Sequence, residues 1–203
     1  CALPICQVDL VLTDLATGFE VPQAQKVTDA FGNFVLVSPR NAVSVGLDAT
    51  DLVIPVVASR EIELTPSANT NLGNIVLPDA FVVTGHVQRS SNGLALSGVD
   101  LDFKNVLGGG SLFTPNDNTD ALGNFSVHVP AGTYDVDFAA DFATHLAGKR
   151  LASQVVVGTQ SLGTVALDAG AVLSGTIQSW NSVLQANADV DVYRQSTGEL
   201  VPT

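Results

Sequence analysis

The chain has 203 residues, room for two domains of about 100 each, and sets Lys+Arg 8 against Asp+Glu 20 for a net charge of -12. That balance excludes a nucleic-acid binder, which needs a basic footprint, and argues against an anionic membrane surface. Apolar residues reach 46% and charged ones only 14%. Such a chain can bury cores and need not stay disordered, yet no apolar run approaches the roughly 18 residues that span a bilayer.

Gly 18 and Pro 9 punctuate runs rich in Val, Thr, Phe and Ile, and Met is absent. β-favouring runs between turn residues predict an all-β fold. In chain order, Val8-Asp9-Leu10 reads as strand and Thr28-Asp29-Ala30-Phe31-Gly32-Asn33-Phe34 as a turn. A strand is expected over 81–88, a turn at Ser91-Asn92-Gly93, a strand over 99–106 and a loop at Gly108-Gly109-Gly110. The turn Asp120-Ala121-Leu122-Gly123 feeds a strand over 124–129, and Pro130-Ala131-Gly132 turns into 133–139. Further strands are expected over 151–157, 163–167 and 171–178. Within 99–104, 125–129 and 134–138 apolar and polar residues alternate, which puts one set inward and the other in water.

The chain repeats itself. Thr28-Asp29-Ala30-Phe31-Gly32-Asn33-Phe34 returns as Thr119-Asp120-Ala121-Leu122-Gly123-Asn124-Phe125, and Val8-Asp9-Leu10 as Val99-Asp100-Leu101, both at an offset of 91. Val83-Thr84-Gly85-His86-Val87-Gln88 returns as Leu173-Ser174-Gly175-Thr176-Ile177-Gln178 at 90. A period near 90 is the size of one β-sandwich of six to seven strands. The expected organisation is a first repeat over 1–80 without its own first strand, a complete second over 81–170, and the first strands of a third over 171–203. Two explanations fit: a stretch of a longer tandem array, or a donor strand that completes a neighbouring subunit. The joints 77–80 and 167–170 are read as short linkers, stiffened by Pro78 and loosened by Gly170.

The turn has a physical rationale. Asp29 or Asp120 accepts from backbone N–H groups two residues on. Gly32 or Gly123 takes the left-handed conformation that a side chain resists. Both aspartates read as turn formers, not catalytic acids.

Thr-Asp-x-x-Gly-x-Phe at Thr119, Asp120, Gly123 and Phe125, followed by Pro130-Ala131-Gly132-Thr133-Tyr134, resembles the carboxypeptidase regulatory-like domains, transthyretin-like or Cna-B-like β-sandwiches. Ser97-Gly98-Val99-Asp100-Leu101 and Thr84-Gly85-His86-Val87 extend the resemblance; Ser38-Pro39-Arg40-Asn41 departs from it. The resemblance implies a secreted or cell-surface spacer, stalk or accessory module. Some relatives carry Lys–Asn cross-links, but Lys26, Lys104 and Lys149 lie off the expected first strands, so none is expected here.

Chemistry-bearing residues are sparse. His86, His128 and His145 show no zinc-peptidase spacing, and there is no Gly-x-Ser-x-Gly elbow, so an enzyme is not expected. Outward carboxylate pairs fall at Asp100/Asp102, Asp135/Asp137 and Asp189/Asp191. Asp117, Asn118 and Asp120 form the weak candidate for Ca²⁺, offering oxygens at close spacing without the glycine or terminal Glu of an EF-hand. Cys1 and Cys6 are the only thiols and suit a disulfide in an oxidising compartment or two free thiols. Trp180 reads as a loop aromatic and the one handle for a glycan. The expected role is extracellular and structural: a stalk, spacer or filament subunit whose partners are its own copies or neighbouring repeats. The alternative is a carbohydrate- or protein-binding accessory module.

Overall fold

The computed structural model describes residues 7–52, 55–186, 188, 190–193, 195, 196, 198, 201 and 202. Among the described residues ten strands form: β1 (Asp9–Asp14), β2 (Phe19–Glu20), β3 (Val43–Asp48), β4 (Arg60–Leu64), β5 (Phe81–Arg89), β6 (Asp100–Asn105), β7 (Asn124–Val129), β8 (Gly132–Ala139), β9 (Lys149–Val156) and β10 (Gln160–Leu167). Among the described residues the only helical element is a 3-10 turn at Phe142–Thr144.

Residues 81–167 make a two-layer sandwich. One sheet has the order β10-β5-β7 and the other β6-β8-β9. Alternation decides which face turns inward: Leu101 and Phe103 on β6, Phe125, Val127 and Val129 on β7, and Tyr134, Val136 and Phe138 on β8 are buried in one cluster. Full burial of each such side chain is worth about 1.5–3 kcal/mol. The Phe125 and Phe138 rings, one from each sheet, meet at 5.8 Å between centroids. Phe125 crosses β5 at Gly85, where a Cβ would strike its ring; a glycine inside a strand marks such a close approach.

Residues 9–64 carry one ladder of order β2-β1-β3-β4. Its register copies the sheet β6-β8-β9. Leu10↔Leu47, Leu12↔Val45 and Asp14↔Val43 are matched by Leu101↔Phe138, Phe103↔Val136 and Asn105↔Tyr134, each residue shifted by 91. Val8, Leu10, Leu12, Val43, Val45 and Leu47 form a separate buried cluster. The second layer over this cluster has no ladder. Phe34, Leu36, Ile75 and Leu77 pack on it while only partly buried, from segments 33–38 and 70–77 that join no ladder among the described residues. Their counterparts β7 and β10 are strands because β5 stands between them.

Three expectations need correction. Segment 171–178 carries no ladder; only Gln178 bridges, to Leu184, because a strand needs a neighbour and none lies beside it among the described residues. Asp137 does not face water. It is 2% exposed because Lys104 and Arg150, brought alongside by β6 and β9, close over it. Gly170 is no swivel either: its N–H donates to His145 O at 2.9 Å.

Candidate functional site

The repeated turn is built identically twice. Asp29 Oδ1 accepts from the N–H groups of Phe31 and Asn33, both at 2.8 Å. Asp120 Oδ1 does the same with Leu122 and Asn124, again at 2.8 Å. Gly32 and Gly123 have φ of 76° and 77°. Backbone N–H donation, first from Asn33 and Asn124 respectively, holds both carboxyls below the usual carboxylate range. Beside each turn a buried threonine ties the entering strand: Val8 N–H donates to Thr28 Oγ1 at 3.1 Å and Val99 N–H to Thr119 Oγ1 at 2.9 Å.

Of the residues considered for Ca²⁺, Asp117 and Asp120 accept from protein donors, and Asn118 uses its amide nitrogen as a donor. Thr114 Oγ1 donates to Asp117 Oδ2 at 2.6 Å, Asn118 Nδ2 reaches Asp100 Oδ1 at 3.5 Å, and Asp120 is committed to its turn. Among the described residues no three His, Cys, Asp or Glu side chains gather in a metal-holding group. Burial, opposed by the Thr114 hydroxyl and reinforced by the charges of Asp100 and Asp102, pushes the Asp117 carboxyl up to about 6. Cys1, Cys6 and Asp189 lie outside the described residues.

The three histidines are kept apart. His86 Nδ1 lies 3.4 Å from Asn124 Oδ1. His145 ends the 3-10 turn at φ 51°. His128 Nδ1 lies 3.1 Å from Val57 O, so it belongs to a joint between the two cores.

That joint combines polar and apolar contacts between the two cores. The loop after β6 leans back onto the outer face of the first sheet. The Phe113 ring covers Gly46, where an added Cβ would lie 2.9 Å from its Cζ. Thr50 Oγ1 donates to Pro115 O at 3.2 Å, and Asn116 Nδ2 to Asp48 Oδ2 at 2.8 Å. Asn116 takes φ 60° to reach that carboxylate, a conformation Asn tolerates better than most residues. A cleft of about 830 Å³ opens beside the joint, lined by Arg60, Glu61, Glu63, Asp102, Asp117 and His128 among others.

The chain leaves each core through the same clamp. Ala58 N–H donates to Pro78 O and Ala80 N–H to Val56 O; about ninety residues on, Ala147 N–H donates to Asp168 O and Gly170 N–H to His145 O. The next hairpin also recurs: Val21 to Leu12, Leu112 to Phe103 and Val201 to Val192 share one N–H···O bond. Position 46, covered by Phe113, corresponds to position 137 in the second sheet. There Arg150 Nε and Nη2 donate to the Asp137 carboxylate at 2.6 and 2.7 Å and Lys104 Nζ at 2.8 Å. Val201 and Pro202 line a small cleft over the same triad, and Pro202 presses on Gly148.

Periodicity does not single out Phe113, Asn116, Thr50 or Asp48, because loops carry no period. The one available signal was Gly46, an isolated glycine inside a strand pattern. Trp180 is 98% exposed. No helix of the described residues is long and apolar enough to cross a membrane.

No family profile matches the sequence, and no curated protein matches it significantly. Among solved structures the chain is similar to a variant of the shaft pilin SpaA of Lactobacillus rhamnosus GG, at 14% identity and a TM-score of 0.39, covering 85% of this chain and 95% of that one. It is also similar to a streptococcal ancillary pilin, at 14% identity and a TM-score of 0.30, over 81% and 58% of the two chains. A type II cohesin–X-dockerin complex of Acetivibrio cellulolyticus matches at 21% identity and a TM-score of 0.29, over 41% of this chain and about half, 52%, of that one. These superpositions are loose and carry neither family nor function, which sites must supply.

Proposed function

We propose that the protein is an extracellular, non-catalytic structural protein, a stalk, spacer or filament subunit made of consecutive β-sandwich repeats. In this reading the repeats follow the boundaries 1–80, 81–170 and 171–203, and subunits join by β-strand addition. The recurring exit clamp carries the proposal: the same pair of backbone bonds fixes the chain at Pro78–Ala80 and again at Asp168–Gly170. A linker tied at both its ends transmits orientation, which a free linker cannot. Phe113, Asn116 and His128 add side-chain contacts to the first joint. The net charge of -12 suits a surface that stays soluble in the open.

The test is a distance measurement by pulsed electron spin resonance between spin labels on Glu63 and Gln154, one on each core. A single narrow distribution that broadens in the Phe113→Ala/Asn116→Ala variant is expected. A broad distribution in the parent chain, or one the variant leaves unchanged, refutes the rigid joint. The exposure of Trp180 favours a second reading as a glycan-binding module; glycan-array binding that disappears in Trp180→Ala would support it over the spacer.

A further inference from the structure

We infer that the first half of the chain carries an open acceptor groove for a single β-strand, and that the occupant is segment 171–178 of a second copy of this chain. This rests on the assembly reading above and names the partner surface and register that it leaves open.

In the second half β5 is a central strand, antiparallel to β7 and parallel to β10. The first half keeps both neighbours, 33–38 in the place of β7 and 70–77 in the place of β10, with no strand between them among the described residues. Both segments hold strand-like alternation without a ladder. Phe34, Leu36, Ile75 and Leu77 turn to the core, while Val35, Val37 and Val76 are 76%, 78% and 73% exposed. On one edge the N–H groups of Val35 and Val37 are met by Gln25 Oε1 and Gln23 Oε1 at 3.0 and 2.9 Å. The N–H groups of Phe34 and Leu36 point to the opposite edge, and no partner reaches them among the described residues. Such a row of free donors is a template for a further strand. Gly73 holds φ 66°, as Gly163 holds 73° at the register shift where β10 passes β5. The groove keeps the irregularity of the missing contact.

Segment 171–178 repeats 81–88 and has the matching shape. It places Leu173 and Ile177 where β5 places the buried Val83 and Val87. It has Gly175 where Gly85 makes room for Phe125, and Phe34 stands in Phe125's place. Val172, Leu173 and Ile177 are now 50%, 77% and 45% exposed. The clamp at Gly170 sends this segment onward from the second half, as the clamp at Ala80 sends the chain from the first half into β5. In this reading the occupant is the same segment of another molecule. The pairing of β5 then sets the register: Leu173 opposite Leu36, Gly175 opposite Phe34, and Ile177 beside Ile75. The contact joins different surfaces of the two copies, so it propagates head to tail.

The experiment uses the full chain with Cys1→Ser and Cys6→Ser. Val172 and Val37 correspond to the paired Val82 and His128 and face outward, so Val172→Cys with Val37→Cys tests the register without touching the core. Mild oxidation is expected to give disulfide-linked dimers and longer ladders on denaturing gels, whereas Val172→Cys with Val35→Cys assembles without forming the cross-link. Gly175→Val sets a side chain against the Phe34 ring and is expected to weaken dimerisation by about tenfold or more, with the monomer's melting curve unchanged. Monomer mass at every concentration in sedimentation velocity, cross-linking within one chain, or equal cross-linking by both pairs overturns the inference. A narrow label-to-label distance in such a monomer would leave the spacer reading standing, so the two failures are distinguishable.

Discussion

Replacing Asp137 by Asn removes the buried charge at the centre of its triad with Lys104 and Arg150. Asp137 is 2% exposed and takes three charge-assisted contacts, at 2.6 and 2.7 Å from Arg150 and at 2.8 Å from Lys104. Breaking a buried pair by removing one partner costs about 3–5 kcal/mol, mostly because the other charge is left unpaired. Lys104 is 37% exposed and can rehydrate, whereas Arg150 at 16% cannot; the lower end, about 3 kcal/mol, is the expected cost. For a cooperative unit of this size each kcal/mol moves Tm by about 4–8 °C, so the calorimetric transition of the second core should fall by about 12–24 °C near pH 7. The first core, which has Gly46 at the matching position, should keep its transition. Burial pushes the Asp137 carboxyl up, but donation from Arg150 and then Lys104 outweighs it and holds the group below the usual range. A depressed carboxyl stabilises the fold fully above its unfolded value, about 4, and loses that contribution as pH falls through the folded value. The parent and Asp137→Asn curves should therefore converge on acidification. A loss under about 1 kcal/mol, or a gap indifferent to acid, would refute the claim that the triad is a buried ionic lock.

Asp117 works with the opposite sign. Its folded value of about 6 lies above the unfolded one, so the stability it contributes is present below about pH 4 and is lost as pH rises through about 6. Asp117→Asn should raise the urea midpoint near neutrality and leave it unchanged in acid; equal midpoints at both would count against it. Gly123→Ala should cost more than Gly163→Ala. Both glycines have positive φ, worth about 1 kcal/mol against Ala, but a Cβ at Gly123 also lies 2.5 Å from Val87 O whereas Gly163 has open space; chemical denaturation of the two variants decides it. Chelation with EDTA should leave Tm unchanged, because Asp117 and Asp120 already accept from protein donors; a fall in Tm would restore the Ca²⁺ reading.

The alternation in 99–104, 125–129 and 134–138 and the offset of 90–91 determined the all-β class, the strand positions of the second half and the matched turns at Asp29 and Asp120. Those features are local: side-chain period and turn chemistry act over a few residues, so a linear text records them. The tertiary structure alone decided which neighbours each strand found. It buried Asp137 under Lys104 and Arg150 from two other strands, and drew His128 and Phe113 into a joint with a core some 70 residues earlier. It also left 33–38 and 70–77 as strands in pattern but not in pairing. A ladder belongs to a pair of segments, and whether the partner stands beside a segment is settled only when the chain is folded in space.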